Sequence, residues 1–133
     1  MSNTQATGVA YLDPEFSTCY ATQEIGYAPA AQGVVTQATD KTTGVTLNKS
    51  AGRITMNAAS LAANTAVSFT LTNSLISTND TIIVCISGGG TAAAYTTYIS
   101  SLAAGSAVVT LRNLTGGALA EAVIINYAVI HGA

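Results

Sequence analysis

The chain is expected to be all-β, a jelly-roll-like β-sandwich of roughly eight short strands behind an extended N-terminal arm. Three observations carry that expectation. Residues Glu121–His131, EAVIINYAVIH, are rich in Val and Ile, whose stiff branched side chains pack well on a pleated surface. Val67, Phe69 and Leu71 alternate with Ser68, Thr70 and Thr72, the period-two pattern of a half-buried strand. Turn formers recur at close spacing, among them Asp40-Lys41, Asn48-Lys49, Asn73-Ser74, Asn79-Asp80, Gly88-Gly89-Gly90, Gly105-Ser106 and Gly116-Gly117. Many short strands between such turns favour a sandwich or jelly roll.

In chain order, residues 1–33 form the arm. Gly8, Pro14, Gly26, Pro29 and Gly33 interrupt any sustained helical or strand period there. Tyr11, Phe16, Tyr20 and Tyr27, four of the chain's eight aromatics, fall in this stretch together with Asp13, Glu15 and Glu24 and no basic residue. A disordered tail is normally poor in aromatics, so the arm is expected to dock on something. Tyr11, Asp13, Glu15, Phe16, Tyr20 and Tyr27 are its candidate contacts.

Residues 34–133 form the β domain. Strands are expected at Val34–Gln37, Val45–Leu47, Arg53–Met56, Ala66–Thr72, Thr81–Ile86, Tyr95–Ser100, Ala107–Leu111 and Ala122–Ile130. Ala58–Ala63 is either one helical turn capped by Asn57 or a loop. The last strand is mostly apolar on both faces, with Val123, Ile125, Tyr127 and Val129 on one and Ala122, Ile124, Ala128 and Ile130 on the other. A strand of that kind is covered on both sides, by its own domain or by a neighbouring subunit. Val123, Ile125, Tyr127 and Val129 are the candidate oligomer contacts.

An internal echo runs through the domain. Ser60-Leu61-Ala62-Ala63, Ala66-Val67, Thr70-Leu71 and Asn73 are matched by Ser101-Leu102-Ala103-Ala104, Ala107-Val108, Thr110-Leu111 and Asn113. An acid and an apolar strand follow each time, Asp80 with Ile82-Ile83-Val84 and Glu121 with Val123-Ile124-Ile125. Two equivalent strand-turn-strand units result, too few for a solenoid.

Composition points to a covered surface. Only 8% of residues are charged, with 49% apolar and a mean hydropathy of +0.43, against roughly 25% charged in an ordinary soluble domain. Much of the surface is therefore expected to lie against other protein. No apolar run is long enough for a membrane helix, and the N-terminus lacks the basic-then-apolar order of a secretory signal. Assembly in the cytoplasm is expected, with Cys19 and Cys85 as free thiols.

Chemistry-bearing motifs are sparse. His131, the one histidine, has no HxxxH or Cys companion for zinc. No serine sits in a GxSxG elbow. Gly88-Gly89-Gly90-Thr91 lacks the lysine of a phosphate loop and reads as a loop tip. Lys41, Lys49 and Arg53 make a basic ribbon far short of a nucleic-acid footprint, suited to solvating turns or pairing with a neighbour's acidic arm. No catalytic, cofactor-binding or metal-binding residue is assigned.

The stretches TDKTTGVTLNKSAGRITM, VSFTLTNS, SGGGTAAAYT, VVTLRNLTGG and EAVIINYAVIHGA resemble a small β module of tailed-bacteriophage virion proteins. That module occurs in capsid decoration (cement or head-fibre) proteins and at the ends of tail-fibre chains. The resemblance covers residues 38–133, about three quarters of the chain. It implies a non-enzymatic virion structural protein, commonly a homotrimer. The expectation is a trimeric decoration protein on the capsid surface, binding the major capsid protein through its arm, with no cofactor, nucleic acid or membrane partner. A tail-fibre or tail-tip module would instead present the loops Gly88–Tyr95 and Thr115–Leu119 to a host receptor. A carbohydrate-binding module would stack sugars on Tyr95 and Tyr98, although a spacing of three sets those rings on opposite faces of a regular strand.

Overall fold

The computed structural model describes residues 15–132. The described residues are all-β, with eight strands: β1 Gln32–Thr36, β2 Val45–Thr46, β3 Ala51–Thr55, β4 Ala66–Thr72, β5 Thr81–Gly88, β6 Tyr95–Ala103, β7 Ser106–Asn113 and β8 Ile124–Ile130. Each falls where turn chemistry and β-branched runs place a strand. A single 3₁₀ turn, Pro29–Ala31, leads from the arm into β1. Residues 58–63 form no helix; Asn57 Oδ1 accepts from the Ala59 N–H and holds the stretch as a loop.

The strands divide into two four-stranded sheets, β1-β3-β8-β5 and β2-β4-β7-β6. The pairs β1–β3 and β2–β4 are parallel and the other pairs antiparallel. This mixed wiring differs from that of a jelly roll, whose Greek keys are antiparallel. Between the sheets lies one core, in which Ile54, Met56, Leu71, Val109, Leu111, Val123, Ile125 and Val129 are essentially fully buried. Burying each such side chain contributes about 1.5–3 kcal/mol.

Part of the internal echo is a two-fold relation; its first stretch is not, since residues 60–63 are loop whereas Ser101–Ala103 lie in β6. Thr70, Leu71 and Asn73 match Thr110, Leu111 and Asn113 at an offset of 40, so Phe69 matches Val109, its own cross-strand partner. Ile82-Ile83-Val84 match Val123-Ile124-Ile125 at an offset of 41, so Cys85 matches Asn126, again its own partner. Within one sheet a two-fold pairing therefore exchanges β4 with β7, and within the other β5 with β8.

Asn73 and Asn113, equivalent by that relation, are both fully buried. Each turns the chain out of its strand by accepting an N–H two residues on, from Leu75 and Thr115, the local bond that suits Asn to turns. Their amides then tie in distant loops. Asn73 donates to the Lys49 carbonyl at 2.8 Å, and Asn113 to the carbonyls of Leu61, Ala62 and Gly117 at 3.1, 3.2 and 2.8 Å.

Two of the close approaches that glycine permits bear on the sheets. At Gly52 in β3 a Cβ would stand 2.6 Å from Leu47 Cδ2 and 2.8 Å from Tyr127 Cε1, so its absence lets the sheets close there. Gly89, with φ +76°, would place a Cβ 2.1 Å from the Ala122 carbonyl oxygen. The triple-glycine loop is thereby pressed against the start of β8, which only a residue at ease with positive φ permits.

Candidate docking surface

The arm stands out from the domain. Between Glu15 and Ala28 it takes no helix or strand, and Phe16 and Tyr20 are 65% and 89% exposed, as is Ile25 at 89%. Tyr11 and Asp13, the first two candidate contacts, lie outside the described residues; Glu15 is exposed in the arm. Tyr27 is the fastening point. Its hydroxyl donates to the Val129 carbonyl, and its own carbonyl accepts from the Gln32 side-chain amide at 2.8 Å. Lys49 Nζ adds a bond to the Ala30 carbonyl at 2.9 Å.

The last strand corrects one expectation. Val123, Ile125, Tyr127 and Val129, proposed from sequence as oligomer contacts, point inward and are only 0–3% exposed within the single chain. The opposite sheet already covers them, so another subunit has no access to them. The free side of β8 is Ile124, Asn126, Ala128 and Ile130. Around it the outer face of the β1-β3-β8-β5 sheet exposes Val34, Ile83 and Ile130 at 76%, 53% and 52%. Arg53, whose Nε donates to Asn126 Oδ1 at 3.3 Å, is the one charged side chain carried by those four strands.

The other outer face differs in chemistry. On β4 the outward residues are Ala66, Ser68, Thr70 and Thr72. The Thr110 hydroxyl bridges Ser68 and Ser100 at 2.8 and 2.9 Å, a polar ladder across three strands. That sheet can face water with its hydroxyl groups satisfied, whereas the β8 sheet presents apolar side chains.

The basic ribbon does not exist as such. Lys41 is 3% exposed, and its ammonium donates to the carbonyls of Asn57 and of Glu121, the latter at 2.6 Å. Burial pushes its pKa down, against a smaller opposing pull from the Glu121 carboxylate. The lysine therefore ties loops together rather than solvating a turn. Gln37 beside it is also buried, donating to the Lys41 and Thr43 carbonyls and accepting from the Asn57 N–H. Nothing in the sequence around Gln37 or Lys41 marks them as interior.

The ionisable groups are used structurally. The Glu121 carboxylate accepts from the Thr91 N–H, the Thr91 hydroxyl and the Tyr95 hydroxyl at 3.0, 2.8 and 2.8 Å. Those bonds, the Thr91 N–H foremost, lower its pKa. Tyr95, buried at 8% exposure, is pushed up to about 12 by desolvation first and by Glu121 second. Tyr98 is exposed, so the two rings do not form one stacking platform. Ser77, Asp80 and His131 do meet, but Asp80 lies in the middle: the Ser77 hydroxyl donates to it at 3.0 Å and His131 Nδ1 lies 3.2 Å from it. A nucleophilic serine needs the histidine between itself and the acid, so this group does not activate Ser77.

Asp80 instead locks the C-terminal end. It accepts the Ser77 and Gly132 N–H groups at 2.8 and 3.1 Å. The Ser77 N–H foremost, with Gly132, His131 and the Ser77 hydroxyl, holds its pKa at about 2, below the ordinary 3.8 and against the upward push of desolvation. A carboxylate depressed in the folded state stabilises above its unfolded pKa, and that contribution disappears as pH falls through the folded value. Melting temperature is therefore expected to fall as pH drops from about 4 to about 2. Asp80→Asn should melt lower at pH 5 and respond less to acid, both readable in a thermal scan series.

Among the described residues no three His, Cys, Asp or Glu side chains gather as a metal site, and no helix is long and apolar enough to cross a membrane. Cys19 and Cys85 are both free and exposed. Comparison with protein-family models, with curated proteins and with solved structures finds no match.

Proposed function

We propose that this chain is a non-enzymatic structural protein of a tailed-phage particle, a trimeric decoration or cement protein that binds the major capsid protein of the head through its arm. The observation that carries this reading is the arm itself. Phe16, Tyr20 and Ile25 stand in solvent with no cover from their own domain, and apolar side chains held out in this way gain free energy when a partner surface covers them. A segment with few contacts of its own orders when it binds. Several arms on one oligomer would then hold a shell by avidity, each bond weak and the set strong.

Copies associate through the outer face of the β8 sheet, where Val34, Ile83 and Ile130 are exposed, under the closed symmetry that homo-oligomers favour. The test is co-sedimentation with phage heads lacking this protein. The full chain should bind, and a chain without residues 1–26 should not, while keeping its sheet circular dichroism and cooperative melt. Binding retained by the shortened chain would overturn the proposal.

A further inference from the structure

The arm leaves the sandwich at one end only. There β1 and β3 begin and β4 and β8 finish. Three bonds fasten the arm at that end: the Tyr27 hydroxyl donates to the Val129 carbonyl, the Gln32 side-chain amide to the Tyr27 carbonyl at 2.8 Å, and Lys49 Nζ to the Ala30 carbonyl at 2.9 Å.

The turn that carries Lys49 joins this root to the turn after β4. Asn48 Oδ1 accepts from the Ser74 N–H at 2.8 Å, and the Lys49 carbonyl accepts from Asn73 Nδ2 at 2.8 Å. Leu75, whose N–H donates to Asn73 Oδ1 at 3.0 Å, is thereby fixed close to the arm root. It is 43% exposed, while its neighbour Ile76 is buried.

The opposite end carries a matched turn. Asn113 Oδ1 accepts from the Thr115 N–H as Asn73 Oδ1 does from Leu75, and Leu114 between them is 49% exposed. The eight residues of β7 separate the two turns by about 24 Å. Two exposed leucines, each on a turn held by a buried asparagine, thus sit near to and far from the arm.

Arm length decides which end meets a partner. Ile25, 89% exposed, stands two residues from the fastened Tyr27, at most about 7 Å of chain. A surface that covers Ile25 lies within that distance of Tyr27, and so against the arm-root end. With the outer face of the β8 sheet given to neighbouring copies, the end itself is what remains for that surface.

We infer, on the reading of the chain as a head decoration protein, that the arm-root end seats on the major capsid protein with Leu75 as its apolar contact, and that the end bearing Leu114 points away from the head. A side chain on a turn already held by hydrogen bonds loses little freedom when covered. The arm keeps Leu75 at high effective concentration over the shell. The seat alone is too small to hold, so loss of residues 1–26 still abolishes binding.

The test is a footprint. Leu75→Cys and Leu114→Cys are each made in a Cys19→Ser, Cys85→Ser chain, and maleimide labelling is followed in solution and after binding to phage heads lacking this protein. In solution both thiols should label. On heads the Leu114→Cys thiol should keep its rate, and labelling of the Leu75→Cys thiol should be lost. A Leu75→Cys thiol labelled on heads as fast as in solution, or a Leu114→Cys thiol protected there, would overturn the seat. As a second measurement, Leu75→Asp should weaken co-sedimentation with heads about tenfold, and Leu114→Asp should leave it unchanged; no loss with Leu75→Asp would also overturn it. All four chains keep the arm, so failure of the capsid reading shows separately, as absence of binding by the unsubstituted chain, and it would take the seat with it.

Discussion

Ile125→Ala is expected to lower the stability of the domain by about 2–5 kcal/mol, the range for truncating a fully buried isoleucine where the surroundings relax only in part. Ile125 is 0% exposed and lies between Ile54 of β3 and Ile86 of β5, so the cavity opens in the middle of the sheet's inner face. Against a total of roughly 5–15 kcal/mol for a domain, that loss is large. Ile130→Ser, five residues along the same strand but facing out, should leave the urea midpoint nearly unchanged and weaken association between copies. Urea titration of both variants distinguishes the faces; equal losses of stability would contradict the inward and outward assignment of β8.

Asn113→Ala is expected to destabilise nearly as much. Its amide serves the carbonyls of Leu61, Ala62 and Gly117, and its Oδ1 accepts from the N–H and hydroxyl of Thr115. Each buried group left without its partner costs about 1–3 kcal/mol. Asn113→Asp keeps the acceptor but loses all three donations and buries a charge, so it should be no better than alanine. Asn73→Ala, which removes fewer bonds, should cost less. Since the two asparagines serve separate loops, the double variant should show the sum of the single losses; a marked departure in urea titrations would contradict two independent anchors.

The positions of the strands were legible because period-two alternation and turn residues are local signals. Val67, Phe69 and Leu71 report their burial directly, since Ser68, Thr70 and Thr72 between them are polar. In β8 both alternate sets are apolar, so the sequence shows two faces without saying which meets the opposite sheet. Tyr127 was therefore assigned outward, although it lies between the sheets with its hydroxyl donating to the Leu47 and Lys49 carbonyls. Lys41 was misplaced for a related reason: nothing local to a lysine in a turn says that two carbonyls await its ammonium from residues 16 and 80 positions away. The parallel pairings of β1 and β2 depend on how loops cross the sandwich, which no period encodes. The arm was legible as an arm because its aromatics lack a strand or helix context.

Antibody labelling of purified phage particles from the source of this chain, viewed by electron microscopy, tests the proposed role most directly. Label spread over the head is the expected result. Label confined to the tail, or absent from particles altogether, would contradict a capsid decoration protein.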